Sequence, residues 1–202
     1  MKSLSALCDN PIVYDTFQYL SGSKKARKIV VDKYIKPIPG NRLLDIGCGT
    51  GNILSFLPTG IDYVGFDPLQ SCIDFCNNAG YGRGEFYCDS IESTKRNYIN
   101  EFDIVIATGV IHHLNDDAAL KLIEFSYEAL KPGGKLVTVD GAFYERQSAL
   151  ARWVVSRDRG QFIRTPEKYL ELAKSKFTTI EEELLTNFLR IPYTHYIMTC
   201  IK

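Results

Sequence analysis

The 202-residue chain has no excess of charge of either sign, because 24 Lys and Arg residues balance 24 Asp and Glu residues. Proteins that bind nucleic acid through backbone phosphates usually carry a basic excess, so the balance argues against such a partner, and against DNA in particular. The chain also lacks an apolar run of about 18 residues, the length that a membrane-spanning helix needs. Its first residues are interrupted by charge too early for a secretory signal. We therefore expect a cytoplasmic protein without membrane insertion.

Cysteine pairs with the spacing of metal or redox motifs are also absent. The six cysteines are scattered, and none forms the pair separated by two residues that zinc ribbons and thioredoxin-like sites use. Cys72 and Cys76 could lie on one face of a helix, but no second ligand pair is near them in the sequence. We therefore predict no metal site, and reduced, partly buried cysteines.

What the chain does have is an alternation of short apolar runs and helical segments between residues 42 and 140. Buried strands are predicted for five apolar runs, at 43–46, 63–66, 85–88, 104–107 and 135–139. Helices are predicted between them, at 52–57, 70–79 and 116–131, with a weaker candidate at 93–100. This alternation favours a parallel sheet with helices on both faces.

The two ends of the chain depart from this pattern. Asn10 and Pro11 are typical of a helix start, and a second helix is predicted over 23–36, so residues 1–40 are expected to form a helical cap. Near the other end, the pattern predicts helices at 148–155 and 165–175 and strands at 178–185 and 193–201. The short connection between those two strands favours an antiparallel pair that closes the sheet edge.

The most distinctive segment is a strand that enters a glycine-rich turn and then a helix, Leu43-Leu44-Asp45-Ile46-Gly47-Cys48-Gly49-Thr50-Gly51-Asn52. Glycines at such a turn let the backbone bend tightly and let a ligand approach main-chain atoms. The spacing Gly-x-Gly-x-Gly differs from the Gly-x-Gly-x-x-Gly of dinucleotide folds. With an acidic residue at its entrance, this loop favours a ligand that carries positive charge.

Acidic residues also follow the next two predicted strands. Asp67 closes the second strand, close to the offset of about 20 residues at which an acidic side chain accepts the hydroxyls of a ribose. Asp89 follows the third strand, where an acceptor could take the exocyclic amine of an adenine. Together with Asp45, these residues indicate a pocket for a nucleoside that carries a cationic group.

On these motifs the chain resembles the class I S-adenosylmethionine-dependent methyltransferases. The similar segments are, in order, 45–51, Asp67, 89–91, 102–114 and 130–136. The resemblance implies an α/β fold with a Rossmann-like, doubly wound sheet of seven strands, mostly parallel with an antiparallel terminal strand and helices on both faces. Segments near 10–12, 157–161 and 190–195 are also similar to an uncharacterised bacterial subgroup of small-molecule type.

The resemblance also implies S-adenosylmethionine as the cofactor, S-adenosylhomocysteine as the product, and a cofactor-binding domain over residues 41–202. The glycines would lie against the methionine half of the cofactor, Asp45 near its ammonium group and Asp67 at its ribose. The cofactor-binding residues implied are Asp45, Gly47, Cys48, Gly49, Gly51, Asn52, Asp67, Pro68, Asp89, Ser90, Ile91, Thr108 and Gly109.

Two histidines follow the predicted fourth strand, where the resemblance places the methyl group. His112 or His113 could be the general base for a hydroxyl or amine acceptor, or could only pack against the cofactor. A carboxylate acceptor would need no base. The histidines are therefore catalytic candidates whose role depends on the acceptor.

A cluster of arginines marks the segment 142–176, which the resemblance assigns to the substrate. Arg157, Arg159 and Arg164 lie within eight residues and suit phosphate or carboxylate groups, the alternative being exposed charges and local ion pairs. The other residues expected on the substrate side are Tyr14, Tyr19, Tyr144 and His195.

The sequence therefore predicts a methyltransferase that acts on a small polar or anionic metabolite. Methylation of a protein or RNA side group remains an alternative, as does a cofactor-binding partner subunit without activity. The N-terminal helices are expected to fold over the cofactor as a lid. The acceptor, the atom methylated and the oligomeric state are not determined at this level.

Overall fold

A single seven-stranded sheet organises residues 23–94, 96–186 and 188–202, which are the residues that the computed structural model describes. Its strands are β1 Arg42–Ile46, β2 Asp62–Asp67, β3 Glu85–Cys88, β4 Phe102–Thr108, β5 Leu130–Gly141, β6 Thr179–Leu185 and β7 His195–Ile201. They lie in the order β3-β2-β1-β4-β5-β7-β6. The first five strands pair in parallel, and β7 is antiparallel to both β5 and β6. The predicted Rossmann-like sheet with an antiparallel end is confirmed.

Helical segments connect the strands. They are α1 Ser23–Ile29, which continues as a π-helical turn Val30–Ile35, α2 Gln70–Asn78, α3 Asp116–Ala129, α4 Ala149–Ser156, α5 Pro166–Lys174, and the 3₁₀ turns Asn52–Phe56 and Ile111–His113. No helix in the described part of the chain is long and apolar enough to cross a membrane. The helix predicted from Asn10, with most of the expected cap and lid, lies outside the described residues.

The weak prediction of a helix at 93–100 is wrong, because the residues described there form turns and irregular chain. The hydroxyl of Thr94 donates to Asp89 Oδ2 at 2.8 Å and accepts the backbone N–H of Arg96 at 3.1 Å. Such local side-chain bonds offer the backbone an alternative to helical hydrogen bonds.

Successive residues of the central strands are buried on opposite faces of the sheet. Leu43 and Leu44 are both fully buried, yet Leu43 packs with the residues of α1 and its π-helical turn, and Leu44 packs with those of α3 and α5. This is the two-residue period of a strand covered on both faces. It explains why two consecutive residues of β1, Leu43 and Leu44, are both apolar.

The strand order reverses at β1, which lies between β2 and β4. In doubly wound sheets the connections on the two sides of such a point diverge and leave a crevice at the carboxyl ends of the strands. Asp45, Asp67 and Thr108 are at or next to the carboxyl ends of β1, β2 and β4. The fold therefore brings the motif residues to one edge of the sheet.

Candidate active site

The glycine-rich loop after β1 is held in a sharp turn against β2. The N–H groups of Gly47 and Cys48 both donate to the carbonyl of Phe66, at 2.8 and 3.0 Å. Gly47 has φ +72°, and a Cβ there would lie 2.7 Å from Cγ2 of Val110. Gly49 also has positive φ, but the place of its missing Cβ is open, with no atom of the described residues within 4 Å. Glycine is therefore needed for conformation at both positions, and for close packing only at Gly47.

Two adjoining cavities lie over the carboxyl ends of the strands. The larger has a volume of about 510 Å³ and the smaller about 460 Å³. Both are lined by Gly47, Gly49, Thr50, Thr108, Gly109, His113 and Arg159. The glycine loop and the end of β4 therefore form the boundary at which the two spaces meet.

Most of the residues expected to bind the cofactor line one of these cavities. Those on the larger cavity are Asp45, Gly47, Cys48, Gly49, Asn52, Thr108 and Gly109. The smaller cavity adds Asp67, Pro68, Ser90 and Ile91. Gly51 and Asp89 line neither cavity.

Asp67 joins the end of β2 to the glycine loop. Its Oδ2 accepts the N–H of Gly49 at 2.9 Å, and its Oδ1 accepts the N–H of Leu69 at 2.9 Å. The side chain is 8% exposed, and burial raises its pKa. Because each carboxylate oxygen has a further lone pair, Asp67 can still accept hydrogen bonds from a ligand in the smaller cavity.

Asp45 is buried at the floor of the larger cavity, with 4% of its surface exposed. The hydroxyl of Tyr63 donates to its Oδ2 at 2.7 Å. Burial raises the pKa of Asp45 to about 7, although the Tyr63 hydrogen bond and the charge of Arg27 act in the opposite direction. Its charge therefore changes within the physiological pH range.

Asp89, which is expected at the adenine, lines neither cavity. Its Oδ1 accepts the N–H of Ser90 at 2.9 Å, and its Oδ2 accepts the Thr94 hydroxyl and lies 3.4 Å from Nε of Arg96. Asp89 shapes the turn after β3, and the residues that follow it, Ser90 and Ile91, line the cavity instead. Gly51 is turned away from the ligand space, because a Cβ there would contact Phe86, Cys76 and Tyr81.

His112 is held between two carboxylates at the inner wall of the larger cavity. Its Nδ1 lies 2.8 Å from Asp140 Oδ1, which also accepts the backbone N–H of His112 at 3.1 Å. Its Nε2 lies 3.4 Å from Asp158 Oδ1. Burial by itself would lower the pKa of His112, but Asp140 and Asp158 outweigh it and raise the pKa to about 9.

The other expected base, His113, is more exposed and lines both cavities. Its ring packs beside that of His112, with centroids 4.2 Å apart. Burial and the charge of His112 lower its pKa. The two neighbouring histidines therefore have opposite pKa shifts.

Asp158 fixes the loop after α4 against the rest of the site. Its Oδ1 accepts the N–H of Gly160 at 2.8 Å, and its Oδ2 accepts the hydroxyl of Tyr193 at 2.8 Å. Burial would raise its pKa, but the His112 hydrogen bond and charge hold the pKa well below its usual range. The N–H of Phe162 also donates to the carbonyl of His112 at 2.9 Å. These contacts hold the loop after α4, on the substrate side, against His112.

The three arginines of this segment are placed differently. Arg157 and Arg159 line the larger cavity, and Arg159 also lines the smaller one. Arg164 is 7% exposed, and all five of its N–H donors are used by Asp116 Oδ1 and by three backbone carbonyls. Arg164 therefore stabilises the packing of its own segment against residues 111–116, and the expectation that it binds a substrate anion is not met.

The aromatic residues expected near the substrate are also divided. His195 lines the larger cavity beside Tyr193, with ring centroids 4.6 Å apart, and burial lowers the pKa of His195 to about 4. Tyr144 lines neither cavity. Tyr14 and Tyr19 lie outside the described residues.

Comparison with known proteins identifies the family. A family model described as "Methyltransferase domain" matches residues 14–174. The chain belongs to this methyltransferase family. It is of the class I S-adenosylmethionine-dependent type that the motifs resemble.

Two curated relatives illustrate how far the similarity extends. The tRNA (carboxymethyluridine(34)-5-O)-methyltransferase of Arabidopsis thaliana is 32% identical over 146 residues, which are 70% of this chain and 35% of that protein. The mitochondrial ubiquinone biosynthesis O-methyltransferase of Rattus norvegicus is 32% identical over 108 residues, 50% of this chain and 31% of that protein. This methyltransferase chain thus spans about a third of the length of these relatives.

Solved structures share the fold at lower identity. Phosphoethanolamine N-methyltransferase 2 of Haemonchus contortus, in complex with phosphomonomethylethanolamine and S-adenosylhomocysteine, matches with a TM-score of 0.78 at 20% identity, covering 98% of this chain and 59% of that one. A TehB-like S-adenosylmethionine-dependent methyltransferase of Corynebacterium glutamicum matches with a TM-score of 0.71 at 16% identity, covering 99% and 100%.

The residues of this methyltransferase site fit the cofactor of the family. S-Adenosylmethionine carries a ribose, an ammonium group and a carboxylate, and the described residues offer Asp67 in one cavity and Asp45 with Arg27 in the other. The open space at the missing Cβ of Gly49 leaves the loop backbone accessible between them.

Three residues of the methyltransferase site were missed at the sequence level. Arg27 belongs to a run of positive charges that is typical of a solvated helix, although it lines the larger cavity. Asp140 is next to the carboxyl end of β5, so the reasoning that singled out Asp45, Asp67 and Asp89 at strand ends would have found it as well. No sequence signal connects Asp158 to His112, 46 positions earlier.

Proposed function

We propose that this methyltransferase domain transfers a methyl group from S-adenosylmethionine to a small polar or anionic acceptor in the larger cavity. The observation that carries the proposal is the junction of the two cavities at Gly47, Thr108 and Gly109. The smaller cavity offers Asp67 for the cofactor, whereas the larger offers Asp45 for the cofactor and Arg157 for an acceptor, with Arg159 on both. A small acceptor there would lie next to the methionine half of the cofactor.

Five described residues carry the binding of the cofactor. We assign the ribose to Asp67 and the adenine to the segment of Ser90 and Ile91, which line the smaller cavity. Asp45 and Arg27 line the larger cavity together, which supports Asp45 for the methionine ammonium and Arg27 for its carboxylate. An arginine suits a carboxylate because its planar N–H donors match the two oxygens.

S-Adenosylmethionine, when bound, supplies an activated methyl group on a positively charged sulfur. The protein's contribution is then mainly to align the acceptor and to exclude water. Arg157 and Arg159 bind the anionic part of the acceptor, and the apolar wall of Val154, Leu189 and Ile191 keeps water from the rest. Of the two histidines, His113 faces the acceptor, because both ring nitrogens of His112 are directed at carboxylates.

An anionic acceptor is further supported by a relative named phosphoethanolamine N-methyltransferase 3, from Arabidopsis thaliana, which is 32% identical over 106 residues. Its name gives an acceptor that carries phosphate. Arginine suits such a phosphate because its planar guanidinium can form bidentate hydrogen bonds with it.

The test is a transfer assay with radiolabelled methyl donor and matched acceptors with and without phosphate or carboxylate groups. We expect label in the anionic members and mass identification of a singly methylated product. The matched control is Asp67→Ala, which should lose transfer through loss of donor binding. If the chain binds the donor but labels no small acceptor, the proposal fails.

Methylation of an RNA side group is a second candidate, favoured by the Arabidopsis tRNA relative that aligns with 70% of this chain. The zero net charge of the chain weighs against it. Adding total tRNA to the same assay separates the two, because label that disappears after ribonuclease treatment would establish RNA as the acceptor.

A further inference from the structure

A group of potential metal ligands lies on the wall of the larger cavity. One donor atom each from His112, His113 and Asp158 lies within 4.8 Å of the other two. We propose that these three side chains bind a divalent transition-metal ion such as Zn²⁺. Two imidazole nitrogens and one carboxylate oxygen form a ligand set that such ions take, with further positions left open.

The orientation of His112 is that of a metal ligand. Asp140 Oδ1 lies 2.8 Å from Nδ1 and also accepts the backbone N–H of the same residue, so the ring is held at two points. This contact favours a proton on Nδ1 and directs Nε2 at Asp158. A carboxylate on the far nitrogen is how proteins usually orient a metal-binding histidine.

The distance between Nε2 and Asp158 Oδ1 also fits an ion. It is 3.4 Å, whereas a charge-assisted N–H···O bond is shorter, at about 2.7–2.9 Å. Two ligands at about 2.1 Å from a tetrahedral ion are about 3.4 Å apart. Because the Nε2 lone pair faces a carboxylate oxygen, a proton or a metal ion has to lie between them.

Charge and space are compatible with a divalent cation. Asp140 and Asp158 supply two negative charges, and the ion would take the place of the proton that these carboxylates hold on His112; Asp158 is itself held in place by Tyr193 and Gly160. Arg159 lines the same cavity and opposes the cation, so we expect it to pair with the anionic part of an acceptor. The open positions of the ion would face the cavity of about 510 Å³.

The role of such an ion rests on the proposed function. A metal ion that binds an acceptor hydroxyl lowers the pKa of that hydroxyl and provides the nucleophile without a protein base. Binding of the metal does not depend on this role, so it is measured without donor or acceptor.

The experiment uses the full chain, stripped of metal by dialysis against a chelator and titrated with Zn²⁺ in competition with a chromophoric chelator. We expect about one ion per chain, and a Co²⁺ absorption spectrum typical of nitrogen and oxygen ligands. His113→Asn and Asp158→Asn should each weaken Zn²⁺ binding by about tenfold or more. His195→Asn is the matched control, since it changes the third histidine of the chain, in the same cavity, and should leave the affinity unchanged.

The proposal is overturned if the unmodified chain binds Zn²⁺ no more tightly than His113→Asn and Asp158→Asn, each shown to be folded by circular dichroism. The gap beside Nε2 then holds a proton. It is also overturned if His195→Asn weakens binding as much as His113→Asn. Neither result bears on methyl transfer, and a failure of the transfer assay leaves the measured Zn²⁺ affinity untouched.

Discussion

The two cavities of the site are built in different ways, although they share the glycine loop. The smaller cavity is lined mainly by residues at or shortly after the end of a strand, such as Asp67, Ser90 and Ile91. The larger cavity adds side chains from α1, from the loop after α4 and from the approach to β7. We infer that the ribose and adenine side of the cofactor depends on short segments of the parallel sheet, whereas the larger cavity, where the methionine half meets the acceptor, depends on contacts between distant segments.

The largest effect is expected for Gly160→Ala, which should impair turnover on the acceptor side without weakening donor binding on the cofactor side. A Cβ on this residue would overlap Cδ2 of His112 and lie 2.9 Å from its carbonyl oxygen, so Gly160→Ala should displace the loop that carries Asp158. Because a displacement of about 1 Å can cost a hundredfold in rate, we expect about that loss of turnover. Donor affinity, measured by calorimetry, should stay within about twofold. An equal loss of donor affinity would show that the two sides are not separable.

The next effect concerns the cofactor side. Asp67→Ala removes an acceptor of hydrogen bonds from the loop and, as we propose, from the ribose, so the donor Kd should rise by about ten- to a hundredfold. Asp89→Asn is the matched control, because Asp89 also follows a strand but lines neither cavity. Its donor Kd should change by less than about twofold. Equal effects of the two substitutions would contradict this assignment.

A smaller effect is expected at the mouth of the acceptor side. Arg157→Ala and Arg159→Ala should each raise KM for an anionic acceptor by about tenfold, the value of a lost charge-assisted hydrogen bond. Donor Kd should not change. Arg152→Ala is the control, since Arg152 is an exposed arginine on α4 that lines neither cavity. A neutral acceptor of the same size should show no dependence on either arginine.

The smallest effect is a pH dependence of donor binding. The pKa of Asp45 is raised by burial to about 7, so the carboxylate that we assign to the ammonium group is protonated as the pH falls through that value. Donor affinity should therefore fall by up to about tenfold between pH 8 and pH 6. In Asp45→Asn the affinity should be low and independent of pH over this range. A slope that persists in that variant would locate the titrating group elsewhere.

The sequence predicts the residues of the smaller cavity better than those of the larger one. Asp67, Ser90 and Ile91 were expected and line the smaller cavity, because a ligand at the carboxyl edge of a parallel sheet meets whatever follows each strand. Asp89 obeys the same rule of position, yet its carboxylate is taken up by its own turn. Position after a strand therefore predicts nearness to the site, while the direction of the side chain depends on local hydrogen bonds.

For the arginines and histidines of the acceptor side, the sequence does not predict which tertiary contacts each side chain makes. Arg157, Arg159 and Arg164 are equivalent in the sequence, but Arg164 is buried with all its donors used by Asp116 and carbonyls. His112 was singled out by its place after β4, without its partners Asp140 and Asp158. The ion pairs of Arg164 with Asp116 and of His112 with Asp140 and Asp158 join residues 28 to 48 positions apart, so no local pattern could indicate them.

The sequence by itself determined the parallel sheet, the glycine turn and the line of acids at the strand ends. Each of these follows from local physics: apolar runs bury strands, glycine permits positive φ, and strands end where polar residues begin. Only the tertiary structure decided which charges face a cavity and which are neutralised inside the protein. That choice depends on side-chain contacts between distant segments, such as the fastening of the Asp158 loop to His112 and Tyr193.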